Sequence, residues 1–203
     1  MPYAGGVAHP EGTRTVGVGV RLAQRPDNLG EWVIDGAAFE AAGADALWID
    51  LVSVPELDPL AVTAALAAST FRSLLVTTLP AHGVPAPVLA RTLATIGRLS
   101  RGRLRILAAV PRQDLADVAP GLAIFTRIPG DVESFEHTSG PDEAERWMSA
   151  PAPDGRAAWR TTLHDAAELG FHGLVVPADP RLLDILRNPD DDGYRNDLQL
   201  AQG

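Results

Sequence analysis

From Thr15 to Val110 short apolar runs alternate with stretches of helical period, and this alternation constrains the fold more than any other feature of the chain. The spacing predicts strands at Thr15–Leu22, Ala46–Val52, Ser73–Leu79 and Leu104–Val110. Helices are expected at Glu31–Ala42, Asp58–Ser69 and Pro85–Ile96. The punctuation agrees. Arg25-Pro26-Asp27-Asn28 forms a turn and a helix cap, Gly43 stops the first helix, and Asp58-Pro59 supplies a cap followed by proline at the first helical position. At Leu99-Ser100-Arg101-Gly102-Arg103 a helix hands over to a strand. Gly102 permits a left-handed exit there, and the arginines sit near the negative helix end. Strands separated by helices run parallel with right-handed crossovers, so the fold class is α/β. No Gly-x-Gly-x-x-Gly follows the first strand, because Gly17-Val18-Gly19 lies within it. A barrel is therefore favoured over an open nucleotide-binding sheet.

The second half is less regular. Gly121–Ile128 reads as a fifth strand, residues 129–142 as a polar loop, and Glu143–Ser149 as a short helix. Arg156–Leu169 reads as a helix ended by Gly170, His172–Val176 as a strand, and Pro180–Arg187 as a last helix. Six strands fall two short of an eight-stranded barrel. The expectation is a single domain over 15–187, a parallel barrel shortened or incomplete in its C-terminal half. A flexible arm at 1–14 and a polar tail at 188–203 flank it.

Of the 203 residues 46% are hydrophobic, which excludes disorder. No apolar run reaches membrane-spanning length, and no basic-then-apolar leader pattern opens the chain, so a cytoplasmic protein is expected. Cysteine is absent, which removes disulfides and thiolate chemistry. All 17 basic residues are arginine, which removes Schiff-base lysines and the lysine of phosphate loops. A net charge of −9 argues against nucleic acid or an anionic membrane as partner.

Three segments, in order and spacing, resemble luciferase-like flavin-dependent monooxygenases and their deazaflavin-dependent relatives. They are Ala38-Phe39-Glu40-Ala41-Ala42-Gly43-Ala44-Asp45-Ala46-Leu47-Trp48-Ile49-Asp50, Asp58-Pro59-Leu60 with Ala64–Thr70, and Pro87–Ile96 with Leu99–Arg103. Gly170-Phe171-His172-Gly173-Leu174-Val175 resembles the family's final helix–strand joint. The resemblance implies a TIM-like parallel (β/α) barrel. It further implies FMN or a deazaflavin coenzyme at the strand ends, with oxidation of a small organic substrate by oxygen, or hydride transfer, as the reaction. Three departures accompany it. The family's acid–His pair after the strand tryptophan is reduced to Asp50, one step early. Glycines that let backbone approach the flavin are replaced by Leu107, Ala109 and Pro111. The stretch between the fifth and last strands is too short for the usual insertions. These departures make a lost cofactor pocket the alternative, leaving a non-catalytic relative that binds a ligand or serves as a partner subunit.

Barrel chemistry sits at the C-terminal strand ends. Asp50 lies at one such end and is a candidate for cofactor binding or catalysis; the alternative is a carboxylate bonding backbone or an arginine. Thr77-Thr78-Leu79 ends the third strand, where a bulge would turn backbone amides toward a flavin; the alternative is ordinary strand filling. His82, in the following loop, is a candidate acid or base, or simply a solvated residue. Arg112-Gln113-Asp114 could meet an anion or lie in a solvated loop. His137, His164 and His172 lack metal-ligand spacing, and Asp190-Asp191-Asp192-Gly193 lacks a full calcium-loop pattern. A shortened barrel would leave strand edges uncovered. Together with the small-residue face Leu57, Leu60, Ala61, Ala64, Ala65 and Ala68, this leads us to expect a homodimer or a heterodimer with a related barrel.

Overall fold

The computed structural model describes residues 16–24, 26–51, 56–79, 84–108, 118–130, 132–140 and 143–188. β1 (Gly17–Arg21), β2 (Ala46–Ile49), β3 (Leu74–Thr78) and β4 (Leu104–Ala108) alternate with α1 (Leu29–Ala42), α2 (Pro59–Ser69) and α3 (Ala86–Leu99). β5 (Ile124–Ile128), β6 (Ser134–Gly140) and β7 (Glu143–Ser149) follow as consecutive strands. They lead into α4 (Arg156–Glu168), β8 (Gly173–Pro177) and α5 (Pro180–Arg187). No helix among the described residues is long and apolar enough to cross a membrane.

Local chemistry fixes the element ends. The Asn28 side chain accepts from the Gly30 and Glu31 amides, and Asp58 from those of Leu60 and Ala61, satisfying donors that the first helical turn leaves unpaired. At the end of α3, Arg101 and Gly102 both take left-handed backbone (φ 55° and 81°), and the Gly102 amide donates back to Gly97 O at 2.8 Å. Arg103 then turns inward, donating to the carbonyls of Ser100 (2.8 Å), Ser73 (2.6 Å) and Thr70 (2.7 Å). Glu40 of α1 meets the same junction from the other side, accepting from the amides of Phe71, Arg72 and Ser73 at 2.7–2.8 Å. The joint that the sequence marks thus ties α1, the α2–β3 turn and the α3–β4 turn beneath the barrel.

The eight strands close in chain order, β8 pairing with β1 from Gly17↔Gly173 to Arg21↔Pro177. Pairs from β1 to β5, and β7 with β8, are parallel; β6 runs antiparallel to both its neighbours. This corrects three expectations. Residues 129–142 are not a loop throughout but contain β6, and 143–149 is a strand rather than a helix. The barrel is consequently closed rather than incomplete. Two hairpin connections stand where crossover helices would be, so closure needs far fewer residues than a full set of βα units.

Side chains alternate across the wall. Val18, Val20, Leu47, Ile49, Leu75, Leu104, Ile106, Leu174 and Val176 face outward into the layer shared with the helices. Ala46, Trp48, Val76, Leu107, Phe125, Phe135, Trp147 and Val175 fill the interior. Gly19 and Gly173 leave the room that Trp147 occupies. A Cβ on Gly19 would stand 2.5 Å from Trp48 Nε1 and 2.9 Å from the Trp147 ring, and one on Gly173 would overlap the Trp147 ring. The outer surface of β6 instead carries Ser134 and Glu136, as befits a wall segment with no helix of its own.

Candidate ligand site at the barrel mouth

The inward alternation that puts aromatic rings in the barrel's middle puts polar groups in the next layer up, at the C-terminal ends of the parallel strands. Arg21 follows Gly19 on β1, Asp50 follows Trp48 after β2, Thr78 follows Val76 on β3 and Arg127 follows Phe125 on β5. β6 starts at this end, so Glu133, two residues before Phe135, joins them.

These groups form a chain of ion pairs. Arg127 Nη2 donates to Asp50 Oδ2 at 2.7 Å, and Arg127 Nε lies 3.0 Å from Glu133 Oε1. Arg21 Nη2 donates to Glu133 Oε2 at 2.6 Å. Both guanidinium groups stand over the Phe135 ring, at 5.7 and 5.9 Å from its centroid. Formal charges cancel across the four. The Asp50 side chain is 9% exposed, whereas those of Arg21, Glu133 and Arg127 keep 22%, 30% and 34% in solvent.

Below the ion pairs lies an aromatic floor. Trp48 packs against Phe135, Phe125 and Trp147 with centroids 4.5, 5.5 and 5.9 Å apart. The Trp147 indole donates to Glu145 Oε1 at 2.8 Å. Three buried side-chain atoms make no aligned hydrogen bond among the described residues: Thr78 Oγ1, Trp48 Nε1 and Arg127 Nε, the last of which keeps only its ion-pair contact with Glu133. All three belong to residues of the inward face, and Thr78 is 95% buried. An unsatisfied buried donor costs about 1–3 kcal/mol. Thr78 Oγ1 and Arg127 Nε lie in the mouth layer and Trp48 Nε1 in the floor beneath it, and such leftover groups are ones that a ligand or water can complete.

Asp50 and Thr78 are thus brought to the mouth. Thr77 shares the outward parity of Leu75, fully buried, and Leu79 packs against the outer layer. Pairing runs without a shift through Thr77↔Ile106 and Thr78↔Leu107, so no bulge turns amides inward there. Leu107 fills the interior, where the family resemblance placed a glycine. His82, Arg112, Gln113, Asp114 and Asp190–Asp192 lie outside the described residues, as do Ala109 and Pro111. His137 sits lower in the barrel, its Nδ1 3.0 Å from Ile124 O and its ring 5.7 Å from Phe125. His172 Nδ1 accepts from the Arg146 amide, and His164 is exposed on α4.

Sequence reasoning missed Arg21, Arg127 and Glu133. The signal for the first two was available, since each lies two residues beyond an inward position of a recognised strand. Glu133 had none, because its strand reads as loop. Comparison with known proteins finds no family model and no curated protein that matches the chain.

Proposed function

We propose that the barrel mouth is a ligand site and that the chain is a luciferase-like flavin- or deazaflavin-dependent oxidoreductase acting on a small organic molecule. The observation that carries the reading is the layer of polar groups at the C-terminal strand ends together with the buried, unsatisfied Thr78 hydroxyl among them. The residues fit the polar edge of a flavin or deazaflavin ring, where an N–H lies between two carbonyls. Asp50 would accept from the N–H, while Thr78 Oγ1 and Arg127 would donate to the carbonyls. When bound, the ring supplies the redox chemistry. The protein's part is to hold and orient it, and the dry aromatic floor of Trp48, Phe125 and Phe135 excludes water from below. Leu107 in the interior, with Ala109 and Pro111 in sequence where glycines are expected, sets the affinity at micromolar or weaker, about −8 kcal/mol or less favourable.

A second reading, a non-catalytic ligand-binding relative or partner subunit, is favoured by a different observation. Asp50, the one described acid among the sequence's catalytic candidates, is already paired with Arg127. The visible spectrum of the purified protein titrated with FMN and with a deazaflavin, followed by turnover with the reduced cofactor, separates the two. Binding with turnover supports the oxidoreductase; binding without turnover supports the second reading; absence of any spectral change removes the flavin from both.

A further inference from the structure

Glu133 is held as a bound carboxylate would be. Its two oxygens meet two different arginines, Arg21 at 2.6 Å and Arg127 at 3.0 Å, and both guanidinium groups are fixed over one ring, Phe135. Carboxylates bridged by preplaced guanidinium groups are a strong, geometrically selective arrangement. Yet the tie is an imperfect one. Arg127 Nε is buried and makes no aligned hydrogen bond, and the Glu133 side chain is 30% exposed. The Glu133 backbone is anchored separately, its carbonyl accepting from the Ser149 amide at 2.8 Å. The side chain can therefore swing out without moving β6.

We infer that Arg21 and Arg127 form a carboxylate-binding pincer for a small organic monocarboxylate, and that Glu133 occupies it internally until the ligand displaces it. The charge of the ligand follows from the neighbours. With Glu133 turned to solvent, two guanidinium groups face one carboxylate, Asp50, leaving one positive charge. A monoanion restores neutrality; a dianion overshoots it. The Thr78 hydroxyl on the same inward layer offers one further hydrogen bond to the ligand's body. The inference rests on the mouth being the binding site and is independent of whether a flavin binds there. Carboxylate binding without flavin binding would remove only the flavin.

The test is calorimetric titration of the full chain with acetate, benzoate and, as the dianion, sulfate, with tryptophan fluorescence as a second readout. Glu133→Gln keeps the side chain's size and removes its charge. It should bind acetate or benzoate at least about tenfold more tightly than the native chain, and Arg21→Gln in that background should abolish binding. Sulfate should bind more weakly than either carboxylate in both proteins. Equal affinity of native and Glu133→Gln chains, sulfate binding tighter than carboxylate, or no binding to either protein would overturn the inference. If Glu133→Gln does not fold, thermal unfolding of the native chain decides. Benzoate should then raise the midpoint above that in chloride of equal ionic strength, and an unchanged midpoint would overturn the inference.

Discussion

Without Arg127, Asp50 would be a buried carboxylate with no ion-pair partner among the described residues. Breaking a fully buried pair costs about 3–5 kcal/mol, and the partial exposure of Arg127 brings the expected loss for Arg127→Gln to about 2–3 kcal/mol. Adding Asp50→Asn should recover part of it, so a double-mutant cycle in urea unfolding should return a coupling well above zero. A second prediction concerns Glu40. Burial pushes its carboxyl up, but the amides of Arg72, Ser73 and Phe71, with the Ser73 side chain, outweigh that and hold it below the ordinary value. A lowered folded value means that the ionised carboxylate stabilises the fold above the unfolded value, about 4.3, and that this stability is lost as pH falls through the folded one. Glu40→Gln should therefore cost about 2 kcal/mol near neutrality. Its gap from the native chain in urea midpoint should narrow as the pH falls below that unfolded value. At this scale Asp50 was legible because it ends a recognised strand, and Thr78 because it closes the third. Glu40 appeared only as part of a helix, since its three amide donors arrive from a turn about thirty residues away.

Among the elements, β1, β2, β7 and β8 depend on one exchange of volume: Trp147 fills the space that Gly173 leaves open, and Trp48 and Trp147 together fill the space beside Gly19. Gly173→Ala should destabilise the barrel by about 1–3 kcal/mol through overpacking. Trp147→Phe should relieve part of that cost while being destabilising by itself, and thermal unfolding of the single and double variants checks the sign. The first four strands and three helices were readable because Asn28 and Asp58 cap α1 and α2, proline opens α3, and a strand buried on both faces is almost wholly apolar. β6 and β7 were not. Ser134-Phe135-Glu136-His137-Thr138 alternates with strand period, but its polar outer face made it resemble a loop. Glu143-Ala144-Glu145-Arg146-Trp147-Met148-Ser149 is rich in helix formers, and pairing with β6 and β8 overrides that preference. The recurring inward aromatics, Phe125, Phe135 and Trp147, were a further cue in the sequence that these segments share an interior.

For the molecule as a whole, closure of the sheet alters the consequences of a short chain. All eight strands are paired on both sides, so uncovered edges no longer supply a reason to dimerise. The expectation of a dimer then rests on the exposed alanines of α2, Ala61, Ala65 and Ala68, and light scattering would read it directly as twice 21.4 kDa. Closure also gathers the inward residues of five strands into one layer, which we propose as the ligand site. The most direct measurement is spectroscopic titration of the native chain with FMN and with a deazaflavin, repeated on Thr78→Val, which fills the same space and removes only the buried hydroxyl. Saturable binding is expected at micromolar concentration or weaker, reduced about tenfold in Thr78→Val, whose unfolding midpoint should be no lower than the native chain's. Binding of equal strength in both proteins, or no binding to the native chain, would contradict this proposal.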